Sequence, residues 1–159
     1  MKKLDEKMLE QLHAVKKGLE TNTSFTLEEK EDYGEELLHI YRLQEKEYSE
    51  LYVPIEIYFN FLDKTISLRF ELFLGLNEVG RNKTIKGMAE WLRDYADYIE
   101  VREQEILDRG YYLDTTVIDG INHIYFFYRK DFSLNQVKEV VEEAKKLIEK
   151  VWVIGVVWT

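Results

Sequence analysis

The chain has 159 residues, 45% hydrophobic and 33% charged, and no cysteine. Twenty-two basic side chains stand against 31 acidic ones, for a net charge of −9. Those numbers suit one packed domain spanning 1–159 and exclude an unfolded chain, a disulfide scaffold, a thiolate metal site and a cysteine nucleophile. The acidic balance also argues against a broad nucleic-acid surface, which needs clustered Lys and Arg to neutralise phosphates.

Residues 1–50 hold eight basic and thirteen acidic side chains, so the first third is the more acidic per residue. The first eight residues reach Asp5 and Glu6 before any apolar run, unlike a secretory leader. No stretch approaches the roughly 20 apolar residues that span a bilayer. With cysteine absent, the expectation is a cytoplasmic protein with no membrane contact.

In chain order, residues 4–20 read as a helix, because Leu4, Met8, Leu12, Val15 and Leu19 recur at steps of three and four. A second helix is expected from Thr26 to about 47. Thr26 and Glu29 have capping-box spacing, and acids in the first turn suit the helix dipole. Six acids within 28–36 would make its start a docking face for a basic partner, or merely a solvated surface.

Strict alternation then predicts two strands, 53–62 and 65–74. Asp63-Lys64 is the expected turn. The expected register sets Phe61 against Ile66, Ile57 against Phe70 and Ile55 against Leu72. It also sets Glu56 beside Glu71, a carboxylate pair of the kind that can share a proton. Pro54 confines the first strand to an edge or to its own first residues.

Residues 84–109 read as a long helix with Ile85, Met88, Leu92, Tyr95, Ile99 and Ile106 on one face and Gly110 as its C-cap. Asp119-Gly120 predicts a hairpin between 111–118 and 121–129. Leu113, Ile124 and Phe126 share one face of it; Tyr112, Ile118, Tyr125 and Phe127 share the other. Ser133 to Gln136 is a second capping box, so the last helix is expected from Ser133, with Leu134, Val137, Val141, Ala144, Ile148 and Val151 buried. Residues 151–159 would continue it or form a short C-terminal strand. The fold class is α+β: an antiparallel sheet from two hairpins packed with helices, in the order α-α-β-β-α-β-β-α.

This order resembles, in topology alone, the type III secretion chaperone-like fold. That resemblance implies a small acidic dimer that binds protein. The long N-terminal helices and the apolar tail depart from it.

No catalytic motif, cofactor motif or metal-ligand spacing is present, so no catalytic, cofactor or metal residue is assigned. His13 and His39 sit on polar helix flanks. His123 would face Thr116 with Asp114 diagonal to it, an arrangement open to general-base chemistry or to an ordinary cross-strand contact. Arg81, Lys83 and Thr84 precede a helix N-terminus and could hold an anion. Trp152, Ile154, Val156 and Trp158 must pack on their own fold or on another chain. With Tyr112, Tyr125 and Phe127 they form the expected interface. The favoured expectation is a non-enzymatic protein-binding module, a homodimer. The alternatives are an acidic inhibitor or immunity-type protein against a basic partner, and a small-ligand binder or enzyme using Asp114 and His123.

Overall fold

The computed structural model describes residues 6–29, 38–47, 54–75, 83–120 and 123–158. In chain order these form α1 (Glu6–Asn22), β1 (Phe25–Glu29), β2 (Leu38–Glu45), β3 (Ile55–Asn60), β4 (Thr65–Gly75), α2 (Ile85–Asp108), β5 (Tyr112–Asp119), β6 (His123–Ser133) and α3 (Val137–Trp158). The strands make one six-stranded antiparallel sheet in the order β1-β2-β3-β4-β6-β5. The α+β class stands. The chain divides into two compact units, Met1–Phe70 with Arg129–Val153 and Glu71–Tyr128 with Ile154–Thr159.

The first unit holds most of the described core. On α1, Leu12, Val15 and Leu19 are buried, as their spacing requires. The helix interlocks with α3 at Gly18, where a Cβ would stand 2.9 Å from Val141 Cγ2. Thr23 ends α1 by donating its hydroxyl to Leu19 O and accepting the Phe25 N–H.

The expected second helix is corrected. Residues 25–29 and 38–45 are strands, paired antiparallel from Phe25 opposite Glu45 to Glu29 opposite Tyr41. The Thr26 hydroxyl donates to Glu20 Oε1 and so caps no helix at Glu29. Leu38, Ile40 and Tyr41 satisfy a helical spacing and a pleated one equally. Sheet pairing decides between them, burying Ile40, Tyr41 and Leu43. The acids at 30–36 lie outside the described residues, and Glu28 and Glu29 stand on an exposed strand end rather than a helix start.

The β3–β4 hairpin forms as expected, with its register moved by two. Ile55 stands opposite Phe70, Ile57 opposite Leu68 and Phe59 opposite Ile66. A two-residue shift preserves the faces, so Ile55, Ile57, Phe59, Ile66, Leu68 and Phe70 are all buried. The shift comes from the turn, which uses Phe61–Lys64 instead of two residues. There Asn60 and Asp63 exchange two hydrogen bonds, and Lys64 takes φ +56°. Pro54 directly precedes β3, where its missing N–H disturbs least.

Helix α3 begins at Val137, four residues later than the capping-box reading. β6 runs on through Ser133, whose N–H donates to Gln136 Oε1. That is the reciprocal bond of a capping box, used here to close a turn. Leu134, Val141, Ala144 and Ile148 are buried as expected, together with Val140 and Leu147. The backbone remains helical to Trp158, which replaces the alternative of a C-terminal strand.

The second unit buries much less. Among its described residues, only Leu72, Ile106, Tyr111 and Tyr128 are buried apolar or aromatic side chains. Thr84 caps α2 by accepting the Gly87 N–H at 3.0 Å. Gly110, at φ +91°, closes the other end and donates its N–H to Leu107 O.

Candidate functional site

Among the described residues, the most solvent-exposed regular structure is β5. All eight of its residues are exposed, on both faces, and among the described residues it is the last strand of the sheet. Tyr112, Leu113, Val117 and Ile118 stand in water, Ile118 at 71% exposure. On α2 the same holds for Ile85, Leu92, Val101 and Leu107. The helical spacing that puts Leu92 on the expected face therefore leaves it half in solvent.

The opposite sheet edge is built differently. The described end of β1 carries Glu28 and Glu29, both exposed, which charge that edge. Edge strands are normally blunted in this way, or by lysine, proline or a bulge, because open backbone donors and acceptors recruit other strands. The sequence of β5, Tyr-Leu-Asp-Thr-Thr-Val-Ile-Asp, contains neither lysine nor proline.

Under α2 lies an apolar recess of about 350 Å³, lined by Leu72, Leu92, Tyr95, Ile99 and Phe126 among others. Its polar end is Tyr128, whose hydroxyl donates a short hydrogen bond to Glu103 Oε2. Burial, then that bond and the Glu103 charge, push the Tyr128 phenol well above its usual range. Sequence reasoning did not assemble this recess. The Leu92–Tyr95–Ile99 stripe gave one wall, but the other needs the β4 and β6 faces.

The two-sided hairpin reading is partly realised within this unit. Phe126 lines the recess, while Tyr125 packs on Phe73 with ring centroids 5.0 Å apart. Tyr125 and Phe127 are half-buried, and Tyr112 is exposed. Trp152, Ile154, Val156 and Trp158 lie on the helical backbone of α3, and their side chains are outside the described residues.

The other expected sites are dispersed. His123 packs its ring against Phe73, 5.4 Å between centroids, and Asp114 is exposed and accepts from the Thr115 hydroxyl. Neither lines the recess. Glu56 stands opposite Arg69, not Glu71, so the paired-carboxylate reading is corrected: the two-residue register shift puts a cation across from it. Thr84 spends its hydroxyl on the α2 cap, Lys83 is exposed, and Arg81 is outside the described residues. His13 is exposed on α1, beside an open groove of about 750 Å³ that also receives Lys16, Lys17 and Lys46. Lys46 Nζ is held by Glu20 O and Thr23 O, and Lys16 Nζ sits over the Tyr41 ring. His39 lies on β2, its Nδ1 3.6 Å from the Glu29 carboxylate.

No group of three metal-ligating side chains occurs among the described residues. No described helix is long and apolar enough to cross a membrane. In comparisons with known proteins, no family model, no curated protein and no solved structure matches the chain.

Proposed function

We propose that this chain is a protein-binding module, chaperone-like in the sense of offering an apolar surface to other chains, and that it works without catalysis. The observation that carries this reading is the concentration of exposed aliphatic side chains on β5 and α2 of one unit. Single exposed aliphatics are ordinary. A whole edge strand in water, in the same unit as a helix with four more, offers apolar surface suited to a protein contact. The recess beneath α2 supports a second reading, a small apolar ligand, because its volume lies at the lower end of ligand sites and its walls are aliphatic and aromatic.

Affinity capture from a native lysate, comparing the wild-type chain with Val101→Lys/Leu107→Lys on α2, tests the first reading. A stoichiometric protein captured by the wild type and lost in the variant supports it. Because the contact is apolar, capture should survive raised salt, whereas an acidic inhibitor's contact with a basic partner would weaken. Capture of nothing but a small molecule overturns the protein-binding reading in favour of the recess.

A further inference from the structure

We infer that β5 is the docking edge for a second copy of this chain, paired antiparallel to itself about a two-fold axis that sets Thr115 opposite its own copy. This rests on the protein-binding reading and names the occupant of one part of that surface.

The argument is the self-complementarity of the strand. A two-fold axis normal to a sheet keeps each face of the two copies on the same side, so one residue of the strand must stand opposite its own copy, with the axis between them. With Thr115 at the centre, Tyr112 meets Ile118 of the partner subunit and Leu113 meets Val117 of the partner subunit. Asp114 meets Thr116 of the partner subunit, and Thr115 meets its own copy. Over 112–118 every apolar side chain then faces an apolar one, and every polar side chain a polar one. Aromatic–β-branched pairs and Thr–Thr pairs are the favourable cross-strand combinations, and like charges directly opposite are unfavourable.

Neighbouring registers lack this property. Centring on Thr116 sets Leu113 against Asp119 and Asp114 against Ile118. Centring on Asp114 puts two carboxylates face to face. Of these three registers only the one centred on Thr115 avoids both faults, and it uses seven consecutive exposed residues. A second copy is the one partner whose edge carries this pattern by construction, since a symmetric interface uses the same patch twice. The strand lacks lysine and proline, the usual obstacles to such pairing.

Light scattering and sedimentation over the micromolar range test the inference on the full chain. The wild type should have twice the 19.1 kDa chain mass. Leu113→Lys and Val117→Glu, each on an exposed position, should each halve that mass while leaving the circular dichroism spectrum unchanged. Mixing the two variants should restore the doubled mass, because the mixed pair sets Lys against Glu at one contact and keeps Val117 against Leu113 at the other.

A second measurement fixes the register. The chain has no cysteine of its own. Opposed Cα atoms in an antiparallel pair are about 4.5–5.5 Å apart, within disulfide reach. Thr115→Cys should therefore oxidise to a covalent dimer, and Asp119→Cys should not. A wild type of single chain mass overturns the inference. So does a dimer that both variants leave intact, or a mixture that stays monomeric. In each of those cases the α2 capture experiment still reports on the protein-binding reading by itself, so the two failures are distinguishable.

Discussion

Arg69 stands directly opposite Glu56 across the β3–β4 ladder, with its Nη1 3.8 Å from the Glu56 carboxylate. The same guanidinium donates to the Tyr58 hydroxyl at 2.6 Å, and Glu56 is 9% exposed. Removing one member of such a pair leaves a largely buried charge. Arg69→Met should cost about 2–4 kcal/mol in urea denaturation, and Glu56→Gln/Arg69→Met should recover much of that loss. A double variant that loses the sum of the two single losses would mean that the pair is not coupled.

The contact between Gly18 and Val141 makes the opposite kind of demand. Alanine is favoured over glycine by roughly 1 kcal/mol inside a helix. Here a Cβ would lie 2.9 and 3.1 Å from the two Val141 methyl carbons, and a β-branched side chain in a packed interface has little room to turn away. Gly18→Ala should therefore destabilise by about 1–2 kcal/mol. Trimming the neighbour should relieve it, so that Gly18→Ala costs less in a Val141→Ala background than in the wild type. Thermal unfolding of the four chains measures that difference.

Tyr41 and Tyr128 tie stability to alkaline pH. Burial first, and Glu29 second, raise Tyr41 from 10.0 to about 12. Tyr128 is raised by burial and by Glu103. An unfolded chain ionises its tyrosines near 10, while the folded chain keeps these two protonated. The unfolded state then holds fewer protons, so stability falls as pH rises. The contribution is fully present below pH 10 and is lost as pH climbs through the folded values. Denaturation midpoints should hold steady from these groups between pH 7 and pH 9 and drop between pH 10 and pH 12. Absorbance at 295 nm should show one late phenol fewer in Tyr128→Phe than in the wild type.

How far this was legible in the sequence depends on which forces set each element. The β3–β4 faces were readable because alternation with period two is strict over both strands, and a register error of two leaves it unchanged. The register itself was not readable, because Phe61 and Leu62 look like strand and act as turn. The helical reading of 26–47 failed where local spacing fitted two periods and a long-range pairing between Phe25–Glu29 and Leu38–Glu45 chose one. The exposed β5 edge was half readable: its residues were known to be apolar on both faces, but only the strand order shows that it ends the sheet. The recess beside Tyr128 needed three elements brought together, which no local pattern encodes.

Lys64 gives the sharpest test of the turn that moves the register. Its φ of +56° lies in the left-handed region, where a side chain costs roughly 1 kcal/mol or more relative to glycine. Glycine would give back part of that gain through the larger freedom of its unfolded chain. Lys64→Gly should therefore stabilise by about 0.5–1 kcal/mol, and Lys64→Asn by somewhat less, because asparagine tolerates this conformation better than lysine. The carbonyl of Lys64 also accepts the Leu134 N–H at 3.1 Å, so the backbone here is held from both sides. A valine at 64 supplies the opposite sign: its branched Cβ should lower the melting temperature. If glycine, asparagine and valine at this position all melt together with the wild type, then the turn is not left-handed at 64, and the two-residue register shift loses its cause.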